Sequence, residues 1–315
     1  MKQGTMLQKI KNYIDYKRNL GYILRDDYTL IGFGKYADTY APGQPLTIKL
    51  ALHWATLPKS RKKNYHAQRL SMLRSFSKYL VIHDPRTQLI PPSILGPVVC
   101  RTTPYIYSPD EIIKLVKTNV YAESDSLSNS TFSTVVGLLA CTGMRIGEIL
   151  SLKRKNIDWE QKTIVVRWSK RLPMRLIPVA SSTMSRLREY ERLRASFFPN
   201  TVDDHFFLTS NGRNLTYRAF YPKWKRLLEL TGVGDKSSIV PQIHDLRHTF
   251  ACNHLLQAYK NKANIDVAVH SLSVYLGHST IREVYWYLTG IPSLLQLCGE
   301  LFENDVTNYN AGKLK

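Results

Sequence analysis

His244 and Arg247 stand three residues apart in the segment Gln-Ile-His-Asp-Leu-Arg-His-Thr, and the pattern that follows them predicts a helix. Residues three apart share one face of a helix, and a helix N-terminus offers free N–H groups and partial positive charge. A guanidinium beside an imidazole at such a place is suited to binding a phosphate and moving a proton. Taken alone, the pair could equally be an ordinary surface contact.

The same segment raises the possibility of a metal site, because His244 and His248 are four residues apart. A zinc site of this spacing carries a glutamate directly after the first histidine and needs a further ligand. Asp245 stands in that place, and the sequence shows no second ligand cluster. We therefore expect no metal ion to be bound here.

Three further segments place polar residues among apolar ones. Each has an ordinary interpretation: Arg145 could pair with Glu148 along a helix, Lys170 could lie in a solvated turn, and His278 could end a helix. Most tyrosines likewise serve packing. The segments are Cys141-Thr-Gly-Met-Arg-Ile-Gly-Glu-Ile-Leu-Ser-Leu152, Ser169-Lys-Arg-Leu-Pro-Met-Arg-Leu-Ile-Pro-Val179 and Tyr275-Leu-Gly-His-Ser-Thr-Ile-Arg-Glu-Val-Tyr-Trp-Tyr-Leu288.

In this order and spacing, the four segments closely resemble the tyrosine recombinase (phage integrase) family over residues 105–290, and more loosely before them. The resemblance implies a DNA strand transferase that cuts and rejoins duplex DNA through a 3′-phosphotyrosyl intermediate. It implies no metal, ATP or other cofactor. The catalytic residues that it implies are Arg145, Lys170, His244, Arg247, His278 and the nucleophile Tyr287.

The chemistry gives each of these residue types a task. Two arginines can clamp the non-bridging phosphate oxygens, on which negative charge accumulates. Lys170 is then the acid for the leaving 5′-hydroxyl, and His244 takes the proton of the tyrosine. His278 can hydrogen-bond the phosphate.

Tyr285 is the rival nucleophile, two residues before Tyr287. Two residues correspond to about 200° of helix rotation, so both hydroxyls cannot point at one phosphate. The spacing of nine residues from His278 to Tyr287 matches the family and favours Tyr287. Tyr285 and Trp286 are then packing residues.

The chain carries a formal net charge of +20, which favours a polyanionic partner such as double-stranded DNA. Residues 1–104 alone carry +12, and no acidic residue occurs from Lys59 to Leu80. Apolar residues at helical spacing there predict a helix with one basic face, which could contact phosphates or merely be solvated. The candidate DNA-binding residues are Lys59, Arg61, Lys62, Lys63, Arg69 and Arg74.

Cellular location is indicated by what the sequence lacks. No signal peptide, apolar run of spanning length or lipidation motif is visible. The four cysteines are far apart and form no Cys-x-x-Cys pair, which is typical of reduced core cysteines. We expect a cytoplasmic, nucleoid-associated bacterial protein without a membrane partner.

The periodicity predicts a mainly α protein with a small β-sheet, an α+β fold. We place an N-terminal helical core-DNA-binding domain at 1–97, a proline-rich linker at 98–107 and a catalytic domain with a tail helix at 108–315. Ser108-Pro-Asp-Glu111 forms a capping box, and residues 29–52 lack clear periodicity. Helices are predicted near 7–20, 59–80, 108–121, 129–141, 145–152, 181–196, 216–231, 246–259, 271–277 and 280–289, and strands at 163–168 and 174–179.

The resemblance also implies partners. Recombination needs two cuts on each of two duplexes, so a homotetramer on DNA is expected, with accessory DNA-binding proteins or sister recombinases as further candidates. The tail at 292–303 could dock on a neighbour or on its own domain. The sequence around Tyr287 is similar to the corresponding segment of integrases of transposons and related mobile elements. A type IB topoisomerase and a non-catalytic DNA-binding regulator are the alternatives.

Overall fold

The computed structural model describes residues 4–22, 24, 26–58, 63–92, 94–96, 103–166, 174–201, 203–278 and 280–289, the last four of these as backbone only. The chain divides into two units, Met1–Thr102 and Thr103–Lys315. The described residues are mostly helical, with one three-stranded sheet. The predicted fold class is confirmed.

The first unit contains α1 (Met6–Asn19), α2 (Asp27–Tyr40), α3 (Ile48–Thr56) and α4 (Lys63–His83). The apolar face predicted for α4 is confirmed, because its leucines and Phe76 are buried. Burying such side chains gives about 25 cal/mol per Å² of apolar surface, which fixes the helix on its neighbours. Residues 29–52, for which the sequence shows no clear periodicity, lie mostly in α2 and α3.

The contact between α1 and α2 explains why the second helix was missed. Asp38 of α2 accepts hydrogen bonds from the backbone N–H groups of Met6 (2.7 Å) and Leu7 (3.0 Å), which open α1. Gly34 lies against the backbone of Leu7, where a Cβ would come within 2.8 Å of its Cα. Helix α2 therefore depends on glycine and aspartate, residues of low helix propensity, because tertiary contacts need them.

The second unit begins with a confirmed capping box. Glu111 N donates to Ser108 Oγ (3.2 Å) and Ser108 N donates to Glu111 Oε2 (2.8 Å). The elements that follow are α5 (Pro109–Lys117), α6 (Ser126–Thr142), α7 (Ile146–Leu150), a 3-10 turn (Arg154–Asn156), β1 (Ile157–Asp158), β2 (Thr163–Val166), β3 (Arg175–Pro178), α8 (Ser181–Phe197), α9 (Tyr217–Thr231), α10 (Asp245–Lys260), α11 (Ile265–Leu276) and α12 (Arg282–Thr289).

The three strands pair antiparallel in the order β1-β2-β3, with Ile164 opposite Ile177 and both buried. One core packs the sheet against α6, α8 and α9. A separate cluster, including Leu255, Leu272 and Val284, joins α10, α11 and α12. Helix α11 begins six residues before the predicted start, at Ile265.

Two further observations concern membrane-spanning helices and cysteines. Among the helices of the described ranges, none combines the length and the apolar character that crossing a membrane requires. Cys252 is buried as predicted, but Cys141 is exposed, so the expectation of a core cysteine is wrong there. The predicted tail helix lies outside the described residues.

Substituting Gly34 tests the close packing of α1 on α2. We expect Gly34→Ala to lower the free energy of unfolding by more than about 1 kcal/mol, because its methyl group meets backbone rather than a mobile side chain. Gly32→Ala is the matched control in the same helix: it meets nothing within 4 Å, so it should be neutral or stabilising by about 0.5–1 kcal/mol. Urea unfolding of both variants measures the difference. Equal effects would contradict the account.

Candidate active site

Arg247 lies in the first turn of α10 and is almost completely buried, with 1% of the residue exposed. Its Nη1 donates to the carbonyl of Gly143 (2.8 Å) and its Nη2 to that of Leu276 (2.7 Å). Gly143 caps the C-terminus of α6 in the left-handed conformation (φ 60°), and Leu276 is the last residue of α11. Two carbonyl-rich helix ends thus hold one cation.

Arg145 directly precedes α7 and reaches the same place from another side. Its Nη1 lies 3.5 Å from the carbonyl oxygen of Leu276, and its Nη2 lies 3.4 Å from that of Gly277. Its side chain is 28% exposed, in contrast to that of Arg247. Two guanidiniums from separate elements therefore meet at one carbonyl, and Arg145 is accessible from solvent.

Glu148 orients Arg145 through hydrogen bonds to its buried carboxylate. Its fully buried carboxylate accepts from Arg145 Nη1 (3.1 Å) and, through both oxygens, from Arg175 (3.0 and 2.6 Å). Burial alone would raise the pKa of Glu148, but hydrogen bonding to Arg175 and the charges of both arginines hold it below its usual value. The pairing of Arg145 with Glu148 is thus real, and it orients the guanidinium rather than removing it from the site.

Arg175 is a part of the site to which sequence reasoning assigned no role. It opens β3, and the strand's alternation places it on the same face as the buried Ile177. An arginine on the buried face of a strand requires an anionic partner, and that was the available signal. The partner, Glu148, is distant in sequence, so the pairing became visible only in the fold.

Gly277 gives Arg175 its space. It follows α11 in the left-handed conformation (φ 66°), and a Cβ there would come within 2.8 Å of Arg175 Nη1. The glycine of Leu-Gly-His is therefore required twice, once for its backbone angle and once for its missing side chain.

His244 lies immediately before α10, at the end that presents free N–H groups. Burial of its ring among neighbouring atoms and then the charges of Arg247 and Arg145 lower its pKa to about 4. Burial and the two cations act in the same direction, since each disfavours the charged imidazolium. At neutral pH the imidazole is uncharged and can accept a proton.

His278 directly follows Gly277 and has a polar neighbour at each ring nitrogen. Nε2 lies 3.3 Å from Arg247 Nη2, and Nδ1 contacts a carboxylate oxygen of Glu283, near the start of α12. Burial lowers the pKa of His278; the hydrogen bond to Glu283 opposes this effect, and the charge of Arg247 adds to it.

The structure brings four of the six predicted catalytic residues together: Arg145, His244, Arg247 and His278. The backbone of Tyr287 lies in α12, the helix that Glu283 connects to His278, and its side chain is not described. Lys170 lies outside the described residues. The catalytic roles of all six remain predictions.

The predicted DNA-binding residues on α4 differ in their exposure and contacts. Lys63 is exposed, while Arg74 is partly buried and donates to the carbonyl of Pro91 (3.1 Å). Arg69 is a correction: it is 8% exposed, with its guanidinium stacked 3.7 Å over the Trp54 ring, so it does not belong to the exposed basic face. Lys59, Arg61 and Lys62 lie outside the described residues.

Within the described residues, one group, Asp203, Asp204 and His205, has the spacing of metal ligands. Its members have other contacts, however. His205 Nδ1 lies 2.6 Å from Asp203 Oδ1, and Lys153 Nζ donates to Asp204 Oδ2 (2.8 Å). These contacts link the side chains of the loop to one another and to Lys153.

The sequence matches the family model described as the phage integrase family over residues 107–290. It is 33% identical to the putative integrase/recombinase y4rB of Sinorhizobium fredii, an alignment that covers 93% of this chain and 95% of that protein. It is 27% identical to the tyrosine recombinase XerD of Chlorobaculum tepidum, over 90% of this chain and 91% of the relative.

The fold is similar to that of the Tn1549 transposon integrase, solved in complex with transposon right end DNA. The TM-score is 0.69 at 15% identity, over 96% of this chain and 99% of the other. At that identity the likeness shows a shared fold.

Replacing Gly277 tests the support beneath the arginines. We expect Gly277→Ala to lower the free energy of unfolding by at least about 1–2 kcal/mol, since the left-handed angle is costly for alanine and Arg175 must move. Gly137→Ala in α6 is the control, because its added methyl would make an ordinary contact of 3.9 Å with Val116. Thermal unfolding distinguishes the two variants. A Gly277→Ala protein as stable as Gly137→Ala would contradict the observed packing.

Proposed function

Because the chain belongs to the phage integrase family of tyrosine recombinases, enzymes that break and rejoin DNA, we propose that it is a site-specific recombinase acting through Tyr287. One observation carries the proposal for the site: the guanidiniums of Arg145 and Arg247 converge on the carbonyl of Leu276. His244 and His278 flank them. This arrangement suits a phosphodiester held by its two non-bridging oxygens.

The reaction is a transfer of one phosphoester bond. The Tyr287 hydroxyl oxygen attacks phosphorus and forms a 3′-phosphotyrosyl bond, while the bond to the DNA 5′ oxygen breaks. His244, uncharged at neutral pH, accepts the tyrosine proton, and Lys170 protonates the departing 5′ oxygen. Arg145 and Arg247 stabilise the charge that develops on phosphorus-bound oxygens. One phosphoester replaces another, so rejoining needs no ATP.

The rotational phase of α12 supports Tyr287 over Tyr285. Glu283 is directed at His278, Val284 is buried in the cluster with α10 and α11, and Tyr285 is 43% exposed. A residue four positions after Glu283 returns to within about 40° of it, whereas two positions give about 200°. This supports the proposal of Tyr287, because its backbone position lies on the side of α12 from which Glu283 contacts His278.

The place of Lys170 is supported by the strand that follows it. Arg175 opens β3 five residues later and is bound through both carboxylate oxygens to Glu148, which also holds Arg145. Strand β3 thus begins at the arginine site. We therefore assign protonation of the leaving oxygen to Lys170, five residues before Arg175 in sequence.

The first unit contributes sequence-independent contacts to the same duplex. We assign phosphate contacts to Lys59, Arg61, Lys62 and Lys63. A weaker contact is assigned to Arg74, because its Nε already donates to the carbonyl of Pro91. The affinity that such contacts provide falls steeply as the salt concentration rises. Arg69 is left out because its guanidinium is buried on Trp54.

The biological setting follows from the proposed chemistry. A homotetramer assembles on two duplexes, with accessory proteins or a sister recombinase as further partners. The reaction integrates, excises or transposes a mobile element and takes place on DNA in the bacterial cytoplasm. The y4rB relative, named an integrase/recombinase, supports this assignment.

Covalent trapping tests the function and the nucleophile together. Purified protein is incubated with nicked duplexes from the ends of the DNA element that encodes it, then denatured, and the adduct is mapped by peptide mass. We expect an adduct on Tyr287, none in Tyr287→Phe, and an undiminished yield in the matched control Tyr285→Phe.

Other outcomes have distinct meanings. An adduct that persists in Tyr287→Phe would overturn the assignment of the nucleophile. Relaxation of supercoiled plasmid of any sequence by a monomer would point instead to a type IB topoisomerase. Tight binding to these ends by wild-type protein, with no adduct, would contradict the proposed catalysis.

A further inference from the structure

The two neighbours of His278 select one arrangement of its protons. A guanidinium can only donate hydrogen bonds, so Nε2, 3.3 Å from Arg247 Nη2, presents its lone pair. An ionised carboxylate can only accept, so Nδ1, in contact with Glu283, carries the hydrogen. Both neighbours therefore favour the same neutral tautomer, with the proton on Nδ1.

This tautomer is unsuited to a bound phosphate. Phosphate oxygens only accept hydrogen bonds, and the lone pair on Nε2 would face them. The proton on Nδ1 is already engaged by Glu283, so Nε2 becomes a donor when the ring binds a second proton. A neutral His278 that keeps its contact with Glu283 therefore has no proton to offer a phosphate oxygen, whereas the imidazolium has one on Nε2.

Resting on the proposed function, we propose that Glu283 is a positioning residue that controls the protons of His278. In the free protein it keeps the proton on Nδ1. When the phosphate binds, its carboxylate is the counter-ion of the resulting imidazolium, whose Nε2–H donates to a phosphate oxygen.

The charges around the ring fit such a change. Arg247, His244 and His248 face it from α10, Arg145 lies before α7, and β3 brings Arg175 to Gly277. Burial and then the charges of Arg247 and Arg145 disfavour a second proton on His278 in the free protein, which agrees with its lowered pKa. The phosphate adds the missing negative charge, and Glu283 supplies the other on the opposite side of the ring.

The same contact places the nucleophile helix. Glu283 is in the first turn of α12, and its bond to His278 joins that helix to the residue that follows α11. Tyr287 lies one turn further along the same face. Correct protonation of His278 and correct phase of α12 therefore depend on one carboxylate.

Nitrogen-15 NMR of histidine-labelled protein reads the proton positions directly, with the His278 signals assigned from a His278→Asn spectrum. We expect wild-type protein to show the Nδ1–H tautomer when free and an imidazolium at pH 7 when bound to nicked duplex. Glu283→Gln keeps an acceptor oxygen, so the free tautomer should persist while the imidazolium is lost on DNA. Glu283→Ala should lose both, and melting curves check that each variant is folded.

The rate of adduct formation provides the functional measure. In Glu283→Gln, loss of the counter-ion lowers the pH up to which His278 stays protonated. Between pH 6 and pH 8 the rate of adduct formation should therefore fall by a factor about 10 times larger in the variant than in the wild type. Glu229→Gln, which removes an exposed carboxylate paired with Arg226 on α9, is the control and should follow the wild-type profile.

An Nε2–H tautomer in the free wild-type protein would overturn the proposal. So would an imidazolium and a pH profile in Glu283→Gln that match the wild type. The tautomer of the free protein is measured without DNA, so this result is independent of the proposed recombinase activity. The recombinase activity is contradicted separately, if wild-type protein forms no adduct.

Discussion

The buried guanidinium of Arg247 is the charge around which the second unit is arranged. A cation removed from water needs compensating partners, and here they are the carbonyls of Gly143 and Leu276. These carbonyls end α6 and α11, so satisfying one side chain fixes the relative position of three helices. The left-handed glycines after α6 and α11 are a consequence, because they let each chain turn at that point.

The remaining charges follow from that first one. Arg145 and Arg175 bring two more cations, and the carboxylates of Glu148 and Glu283 offset two of the three. One positive charge is left over among these five groups, which a phosphodiester anion would neutralise. The lowered pKa of His244 comes first from burial of its ring and then from the same cations, which disfavour a further proton nearby. An anion site and a neutral proton acceptor are thus produced by one arrangement.

The sequence predicted well those features that depend on local chemistry. The capping box at Ser108 and the buried face of α4 each depend on residues within a few positions of one another. It failed where a distant partner decides. Helix α2 needs Gly34 against Leu7, and Arg69, which resembles a surface cation in sequence, is stacked on Trp54. Neither partner can be read from helical periodicity.

The candidate site shows the same division. Family resemblance identified Arg145, His244, Arg247 and His278 by type and spacing, and the fold brings them together. Arg175 and Glu283 were not given roles, because their value depends on where β3 and α12 end up in space. Residues that hold the functional side chains in place are harder to recognise from sequence than the functional residues themselves.

The most direct test is a crystal structure of the Tyr287→Phe protein bound to duplex DNA that contains its cleavage site. We expect the non-bridging oxygens of the scissile phosphate to lie within about 3 Å of guanidinium nitrogens of Arg145 and Arg247. Glu148 should still hold Arg175 in that complex. A scissile phosphate bound elsewhere, with Arg145 still on the carbonyls of Leu276 and Gly277, would contradict the central claim.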